Sequence, residues 1–462
     1  MIRLFNVYFP GRMLLLAATE ATLIALAQLA AMYAWFGSDT EIALVYDHGA
    51  IKTAIPLLVC MLCMYYYDLY DSILLCNERE VVVRLVQVLG TVCVVSALTY
   101  YAFPGLQLAR GPFVMSIVLG GLLLTIWRKL FYSLNRSELL LQRVALVGCN
   151  SLVHDLPAEV AKRPELGFTV LGYLGAPENG RPLEDPRCLG GLDDLHSVVK
   201  RERLDRLIVA LPDRQESLPI WPLLDLKARG VRVQDGAEVY EAITGKVHLD
   251  SLCPSWFLFS DGFAVSSPML LYKRLSSLVL SIAGLMLAAP LRVLIAIAIR
   301  LDSKGPAIFR QKRVGLDGKL FTLFKFRSMV MNADAGGAVR PAEQEDRRIT
   351  RVGRFIRRCR LDELPQLFNI LRGDMYFIGP RPFTPNLEES FARTIPFYAQ
   401  RGRIKPGATG WAQVHRGYCV SVEDNAEKLA YDLFYIRHMS VGLDCLILFQ
   451  TVKILLLGRG AR

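Results

Sequence analysis

Four apolar stretches crowd into the first third of this 462-residue chain: Met13–Phe36, Ile51–Tyr67, Val81–Phe103 and Phe113–Phe131. Each is close to the ~20 residues that a helix needs to cross a bilayer. They are apolar all round, whereas a soluble bundle keeps a polar face on each helix. Four membrane-spanning helices are therefore expected, although the second run is short and holds Pro56. Charge orients them. Arg3 and Arg12 precede the first run, and Asp39, Glu41 and Asp47 dominate the next loop, with Lys52 at its end. Arg79 and Arg84 lie near the third run, and Arg128, Lys129, Arg136 and Arg143 close the segment. An excess of Lys and Arg marks the cytoplasmic side, so both ends of this segment are expected there. The first run is too long for a signal-peptide core and has no small-residue cleavage site behind it, so it is expected to be retained.

Residues 143–261 change character. Arg143–Gly148, Phe168–Leu174, Arg206–Leu211 and Val231–Val233 read as strands, and Leu192–Arg203 and Ile220–Arg229 as helices. Alternating strands and helices predict a parallel sheet. The turn after the first strand, Gly148-Cys-Asn-Ser-Leu-Val153, holds only the first glycine of a G-x-G-x-x-G fingerprint. A dinucleotide site needs the second glycine for close approach of the pyrophosphate. The segment thus reads as a Rossmann-like spacer or dimerisation domain.

A fifth apolar run, Leu278–Ile299, is long enough to span, but Pro290 removes a backbone donor at its middle. Arg292 follows, Lys273 and Arg274 precede the run, and Arg300 and Lys304 succeed it. An arginine is expensive at the bilayer centre, and basic residues on both flanks favour the same side. A kinked, re-entrant helix satisfies all three features. An ordinary fifth crossing is the alternative, and it would put the rest of the chain on the other face.

Between Arg300 and Arg360 there are sixteen Lys/Arg against six Asp/Glu, within a chain of net charge +11. Such a stretch beside an apolar run suits anionic partners such as lipid or nucleotide phosphates. It lacks the interleaved aromatics of a nucleic-acid surface, so no nucleic-acid partner is expected. The ten cysteines form no disulfide framework. Cys60-x-x-Cys63 lies inside an apolar run with no second pair, and no histidine has metal-ligand spacing.

In the last third, Arg357-Arg-Cys-Arg-Leu-Asp362-Glu363-Leu-Pro365 leads into Gln-Leu-Phe-Asn369. Leu364, Leu367, Phe368 and Leu371 are predicted to share one helical face, with Asp362 as N-cap and Glu363 next. A helix start offers N–H groups and positive potential to a phosphate, and nearby arginines reinforce it. A carboxylate there could attack phosphorus and its neighbour could hold Mg²⁺. On spacing alone, a plain helix cap explains the pair better.

Motifs from Pro268 onward resemble the bacterial sugar transferase family, the monotopic phosphoglycosyl transferases. They begin with Leu301-Asp-Ser-Lys-Gly-Pro306, Phe309-Arg-Gln-Lys-Arg-Val-Gly315, Phe324-Lys-Phe-Arg-Ser-Met329 and Arg360-Leu-Asp-Glu-Leu-Pro-Gln-Leu367. Arg372-Gly-Asp-Met375, Ile378-Gly-Pro-Arg-Pro382, Lys405-Pro-Gly407 and Thr409-Gly-Trp-Ala-Gln413 follow. Tyr431-Asp432, Tyr435-Ile-Arg437 and Gly458-Arg-Gly460 complete the set. The four-helix start and Rossmann-like middle resemble the large, exopolysaccharide-type branch.

The resemblance implies a membrane protein of three parts: four transmembrane helices over 1–135, a Rossmann-like α/β domain over 141–262, and a re-entrant helix with an α-rich α/β catalytic domain over 268–462. It implies transfer of a sugar-1-phosphate from a UDP-sugar to undecaprenyl phosphate at the cytoplasmic face of the bacterial inner membrane, releasing UMP. Asp362 is implied as the nucleophile, carrying the phosphosugar as an acyl phosphate, and Glu363 as helping to place Mg²⁺, with Asp362 beside it. Lys325, Arg357 and Asp432 match polar active-site positions. Arg327 and Arg381 are implied contacts to diphosphate or lipid phosphate, with structural salt bridges as the alternative. The family's re-entrant helix breaks at Ser-Pro. Here the pair is Ala289-Pro290, so the break at Pro290 must be stabilised differently. A homodimer through the membrane or Rossmann-like part is compatible with this plan. The competing readings are a glycosyltransferase that releases UDP and a non-catalytic membrane scaffold that binds nucleotide.

Overall fold

The computed structural model describes residues 2–4, 6–45, 48–71, 78–135, 141–148, 150–175, 187–211, 218–260, 262–263, 265–331, 346, 348–417 and 421–457. Asp47, Arg136, Cys149, Asp261 and the Gly458-Arg-Gly460 motif lie outside the described residues. Two units are distinguished, one mainly Tyr8–Val239 and the other mainly Tyr240–Arg462.

Long apolar runs in lipid must pair their backbone groups internally, which a helix does. The first unit begins with four such helices: α1 (Gly11–Phe36), α2 (Gly49–Tyr66), α3 (Glu78–Ala102) and α4 (Arg110–Asn135). All four are long and apolar enough to cross a membrane. Ile24, Cys60, Met64, Leu85, Val88 and Leu124 meet in their core, while Leu58, Val86 and Leu122 stay exposed on the outer faces. An apolar exterior of this kind fits a lipid solvent. Cys60 and Cys63 are buried free thiols. Inside the bundle Arg128 of α4 grips Glu20 of α1 with two hydrogen bonds, of 2.6 and 3.0 Å. The same guanidinium donates to the carbonyl of Leu69 and to the Tyr132 hydroxyl.

The rest of this unit carries a five-stranded parallel sheet. Its strands are β1 (Gln142–Val147), β2 (Phe168–Leu174), β3 (Cys188–Gly190), β4 (Arg206–Val209) and β5 (Arg232–Asp235), in the order β3-β2-β1-β4-β5. Helices α5 (Leu152–Ala161), α6 (Leu195–Glu202) and α7 (Ile220–Ala228) follow β1, β3 and β4. The central strand β1 is buried over Val144–Val147, the continuous apolar run expected of a parallel sheet covered on both faces. Gly148 ends it at φ +136°, and a Cβ there would lie 2.0 Å from the carbonyl oxygen of Ala210. The need for glycine at this turn is therefore met by a neighbouring backbone. β3 and α5 were not expected from the sequence; three residues carry too little alternation to stand out.

In the second unit the fifth apolar run forms two helices, α8 (Ser267–Leu287) and α9 (Ala289–Asp302). They part at Ala288 (φ −86°, ψ 2°), and Pro290 falls in the first turn of α9, where a missing N–H is tolerated. The break thus precedes Pro290 itself. A hairpin follows: β6 (Ile308–Val314) pairs antiparallel with β7 (Leu320–Phe326). Helices α10 (Arg351–Arg358) and α11 (Gln366–Arg372) come next. Strands β8 (Tyr376–Ile378) and β9 (Gly407–Thr409) then pair in parallel, with α12 (Pro385–Thr394) between them. A Cβ on Gly407 would lie 2.0 Å from the Gly379 nitrogen, so that pairing requires glycine. The chain ends in α13 (Trp411–His415), α14 (Val422–Arg437) and α15 (Val441–Leu457). Tyr376, Ile378, Phe391, Trp411, Leu433 and Phe434 build its main core. At the foot of α8 the ammonium of Lys273 is buried against Tyr435 and against Asp444 of α15, 3.2 Å away.

Candidate active site

The carboxylate pair sits in a turn whose shape its neighbours dictate. Arg360 is in the left-handed region, φ 57°, an uncommon conformation for a non-glycine residue. The chain then makes a 3₁₀ turn over Leu361–Glu363, and α11 starts at Gln366 with Pro365 as its N-cap. Pro365 has no N–H to give to the Leu361 carbonyl. That carbonyl is bonded instead by the amide of Leu364, at 3.3 Å. The expected N-cap role for Asp362 is therefore corrected: the pair precedes a seven-residue helix rather than opening it. The expected apolar face also shifts. Leu367 and Ile370 are buried, and Phe368 is half exposed.

The cations that surround the pair come from separate elements. Lys325, near the end of β7, places Nζ 3.2 Å from Glu363 Oε1. Arg381, in the segment after β8, donates to the same oxygen at 2.8 Å. Arg360 approaches it at 4.0 Å. These contacts all fall on Oε1. Burial alone would raise the Glu363 pKa, but Arg381 and Lys325 overcome it and hold this carboxylate well below the usual range. Asp362 is shifted the other way. Its burial raises its pKa and Glu363 adds to the rise, while Lys325, Arg357 and Arg360 act against it. Burial also lowers the Lys325 pKa, with Glu363 opposing. Two adjacent carboxylates thus have opposite tendencies, a pattern that separates roles at reactive sites.

A scaffold of buried polar groups fixes this cluster. Asn369 of α11 is fully buried. It accepts from the Phe324 amide at 3.0 Å and donates to the Thr322 carbonyl at 2.7 Å, locking α11 to β7 beside Lys325. Arg401 is also buried. It bonds Asp432 twice, Glu388, the Tyr398 hydroxyl and the carbonyl oxygen of Arg381.

The sequence-predicted residues therefore divide. Asp362, Glu363, Lys325, Arg357 and Arg381 are brought together. Asp432 is linked to them through Arg401. Arg327 is placed elsewhere: its guanidinium donates to the carbonyls of Ser303 and Lys304 at the end of α9. Arg401 and Asn369 were not assigned roles from sequence, since what distinguishes them is burial against distant backbone. Pro290 lies at the α8–α9 break, as described above.

Residues 269–458 match the model of the bacterial sugar transferase family. Residues 66–218 match a model described as a CoA-binding domain. A UDP-glucose:undecaprenyl-phosphate glucose-1-phosphate transferase of Xanthomonas campestris pv. campestris is 31% identical over 465 residues, covering 97% of this chain and 94% of the relative. One of the same description from Escherichia coli (strain K12) is 35% identical, over 67% of this chain and 66% of the relative. A UDP-N-acetylgalactosamine-undecaprenyl-phosphate N-acetylgalactosaminephosphotransferase of Aeromonas hydrophila is 41% identical over 49% of this chain, and the match spans about half of that relative, 52%.

Proposed function

The chain belongs to the bacterial sugar transferase family, and from that premise we propose that it transfers a sugar-1-phosphate from a UDP-sugar to undecaprenyl phosphate through Asp362. One observation carries the proposal: Glu363 is gripped by Lys325 and Arg381 while the adjacent Asp362 has no such partner among the described residues. One carboxylate is anchored and the other is left to react.

In the proposed first step an Asp362 oxygen bonds to the phosphorus next to the sugar. The bond from that phosphorus to the bridging oxygen breaks, and the oxygen leaves with the electron pair as UMP. In the second step an oxygen of the polyprenyl phosphate bonds to the same phosphorus. The acyl phosphate bond breaks, the Asp362 carboxylate is restored and a polyprenyl diphosphosugar is formed. Lys325, Arg357 and Arg381 would hold the phosphate oxygens, which lowers the repulsion that an anionic nucleophile meets.

The two carboxylates are a hard-oxygen donor set, and Mg²⁺ is held by one or two carboxylates together with substrate phosphates. Glu363, kept ionised by its cations, and Asp362 fit that requirement. When bound, the ion would neutralise charge on the diphosphate.

The break at Ala288 and the basic residues at both flanks support a re-entrant α8–α9. That arrangement would keep this site on the cytoplasmic face of the inner membrane, where the donor is made. The reaction would begin an exopolysaccharide or other surface glycan.

The test is full-length protein in bilayers, given a panel of UDP-sugars and undecaprenyl phosphate. UMP is expected, with Asp362→Asn reducing its release by at least about 10³-fold. Near-normal UMP from that variant would remove the nucleophile assignment, and UDP as product would favour direct glycosyl transfer.

A further inference from the structure

The α8–α9 break creates a problem that one side chain solves. The carbonyls in the last turn of α8 lose their regular helical donors, and in apolar surroundings an unmet carbonyl is costly. The donor that would serve Met286 belongs to residue 290, which is proline. The Gly284 carbonyl is met by the Ala288 amide at 2.9 Å. The Leu285 carbonyl accepts from Arg292, whose Nη2 reaches back across the break to 2.9 Å.

The same guanidinium lies 5.3 Å from the centre of the Phe368 ring, a cation–π distance. Phe368 belongs to α11, the helix that follows Asp362 and Glu363. The last turn of α8 packs there too. Leu285 shares a core with Leu367 and Ile370, and a methyl on Gly284 would press on Leu367 at 3.2 Å. At the far end of α11, Arg274 of α8 donates to the carbonyls of Ile370 and Leu371 at 2.7 and 2.8 Å. The broken helix thus holds α11 with one arginine at each end.

We propose that Arg292 is a positioning residue: it closes the α8–α9 break by capping Leu285 and, through Phe368, sets the height of the Asp362–Glu363 pair relative to that break. This rests on the reading of Asp362 as the reacting group. The acceptor phosphate is tethered to the lipid, whereas the donor arrives from water and can follow a displaced site. Loss of the contact therefore falls mainly on the acceptor step.

The experiment uses full-length protein in bilayers, with both substrates varied. Arg292→Met removes the donor and keeps the length. It is expected to lower kcat/KM for undecaprenyl phosphate by about 10²-fold, the cost of roughly an ångström of misplacement, while KM for the UDP-sugar moves by less than about twofold. A serine at 289 can return its hydroxyl to the carbonyl four residues earlier, which is that of Leu285. Ala289→Ser combined with Arg292→Met is therefore expected to recover the part of the loss that comes from the uncapped carbonyl and to leave the part transmitted through Phe368. Unchanged acceptor kinetics in Arg292→Met overturns the proposal. So does an equal loss for both substrates that serine fails to restore. If Arg292→Met does not accumulate, Phe368→Leu takes its place: it leaves the break capped and should show the same acceptor-selective defect, and wild-type kinetics there overturns the coupling. Failure of the underlying reading shows separately, as turnover by Asp362→Asn.

Discussion

Arg401 holds the carbonyl oxygen of Arg381 at 2.7 Å, so a buried arginine fixes the backbone of the residue that reaches Glu363. Arg401 is in turn fixed by two bonds to Asp432. The fork matters here because several acceptors are met by one rigid group.

Arg401→Lys keeps the charge but cannot reproduce that geometry. It should lower kcat by roughly 10²-fold through displacement of Arg381. Arg401→Met should instead destabilise the protein by about 3–5 kcal/mol, since Asp432 is left buried without its cation. Steady-state kinetics and thermal unfolding separate the two. Wild-type turnover by Arg401→Lys would show that the link to Arg381 has no catalytic consequence.

The pH profile should be bell-shaped, with both limbs moved inward. As the proposed nucleophile, Asp362 would work only when ionised, so the rate should fall as pH drops through its raised pKa. Lys325, proposed to hold a phosphate, would work only when protonated, so the rate should fall as pH rises through its lowered pKa. Glu363 stays ionised throughout, because its pKa is depressed. The measurement is kcat/KM against pH. An acid limb at the ordinary aspartate value of about 3.9 would contradict the assignment of Asp362.

Glu20 and Arg128 make a second buried pair, in the helical bundle. Removing one partner should be worse than removing both. Glu20→Met leaves an uncompensated cation and should cost about 3–5 kcal/mol, whereas Glu20→Met with Arg128→Met should be much milder. Detergent-resistant folding of the purified full chain is the readout. Equal losses in the two variants would mean that packing, rather than charge, decides.

The path of α8–α9 is open to a direct topology test. Reporter tags before Lys273 and after Lys304 are expected on the same face of the membrane. Tags on opposite faces would make the fifth run a crossing.

The parts legible in the sequence are those with a strong local signal. The apolar runs match the helices to within a few residues because a helix satisfies its backbone within its own segment. Phe168–Leu174 was read as a strand and is one. Local shape at Asp362 was misread because Pro365 and a left-handed Arg360 interrupt the helix before it begins. Contacts such as Glu20 with Arg128, 108 residues apart, carry no local trace. Nor does Arg292, which read from sequence only as a charge beside a proline. Its carbonyl partner is revealed once the chain has folded back on itself.

Three positive groups converge on one oxygen of Glu363. These donors already have a carboxylate to bind at rest, and an arriving anion must share them with it. Small or singly charged anions such as chloride gain little from sharing. A diphosphate, with several oxygens spread over a wide bite, can engage the same donors without displacing the carboxylate entirely. Selection by extent of negative charge rather than by bare attraction follows, so such a site can tell a diphosphate from lesser anions.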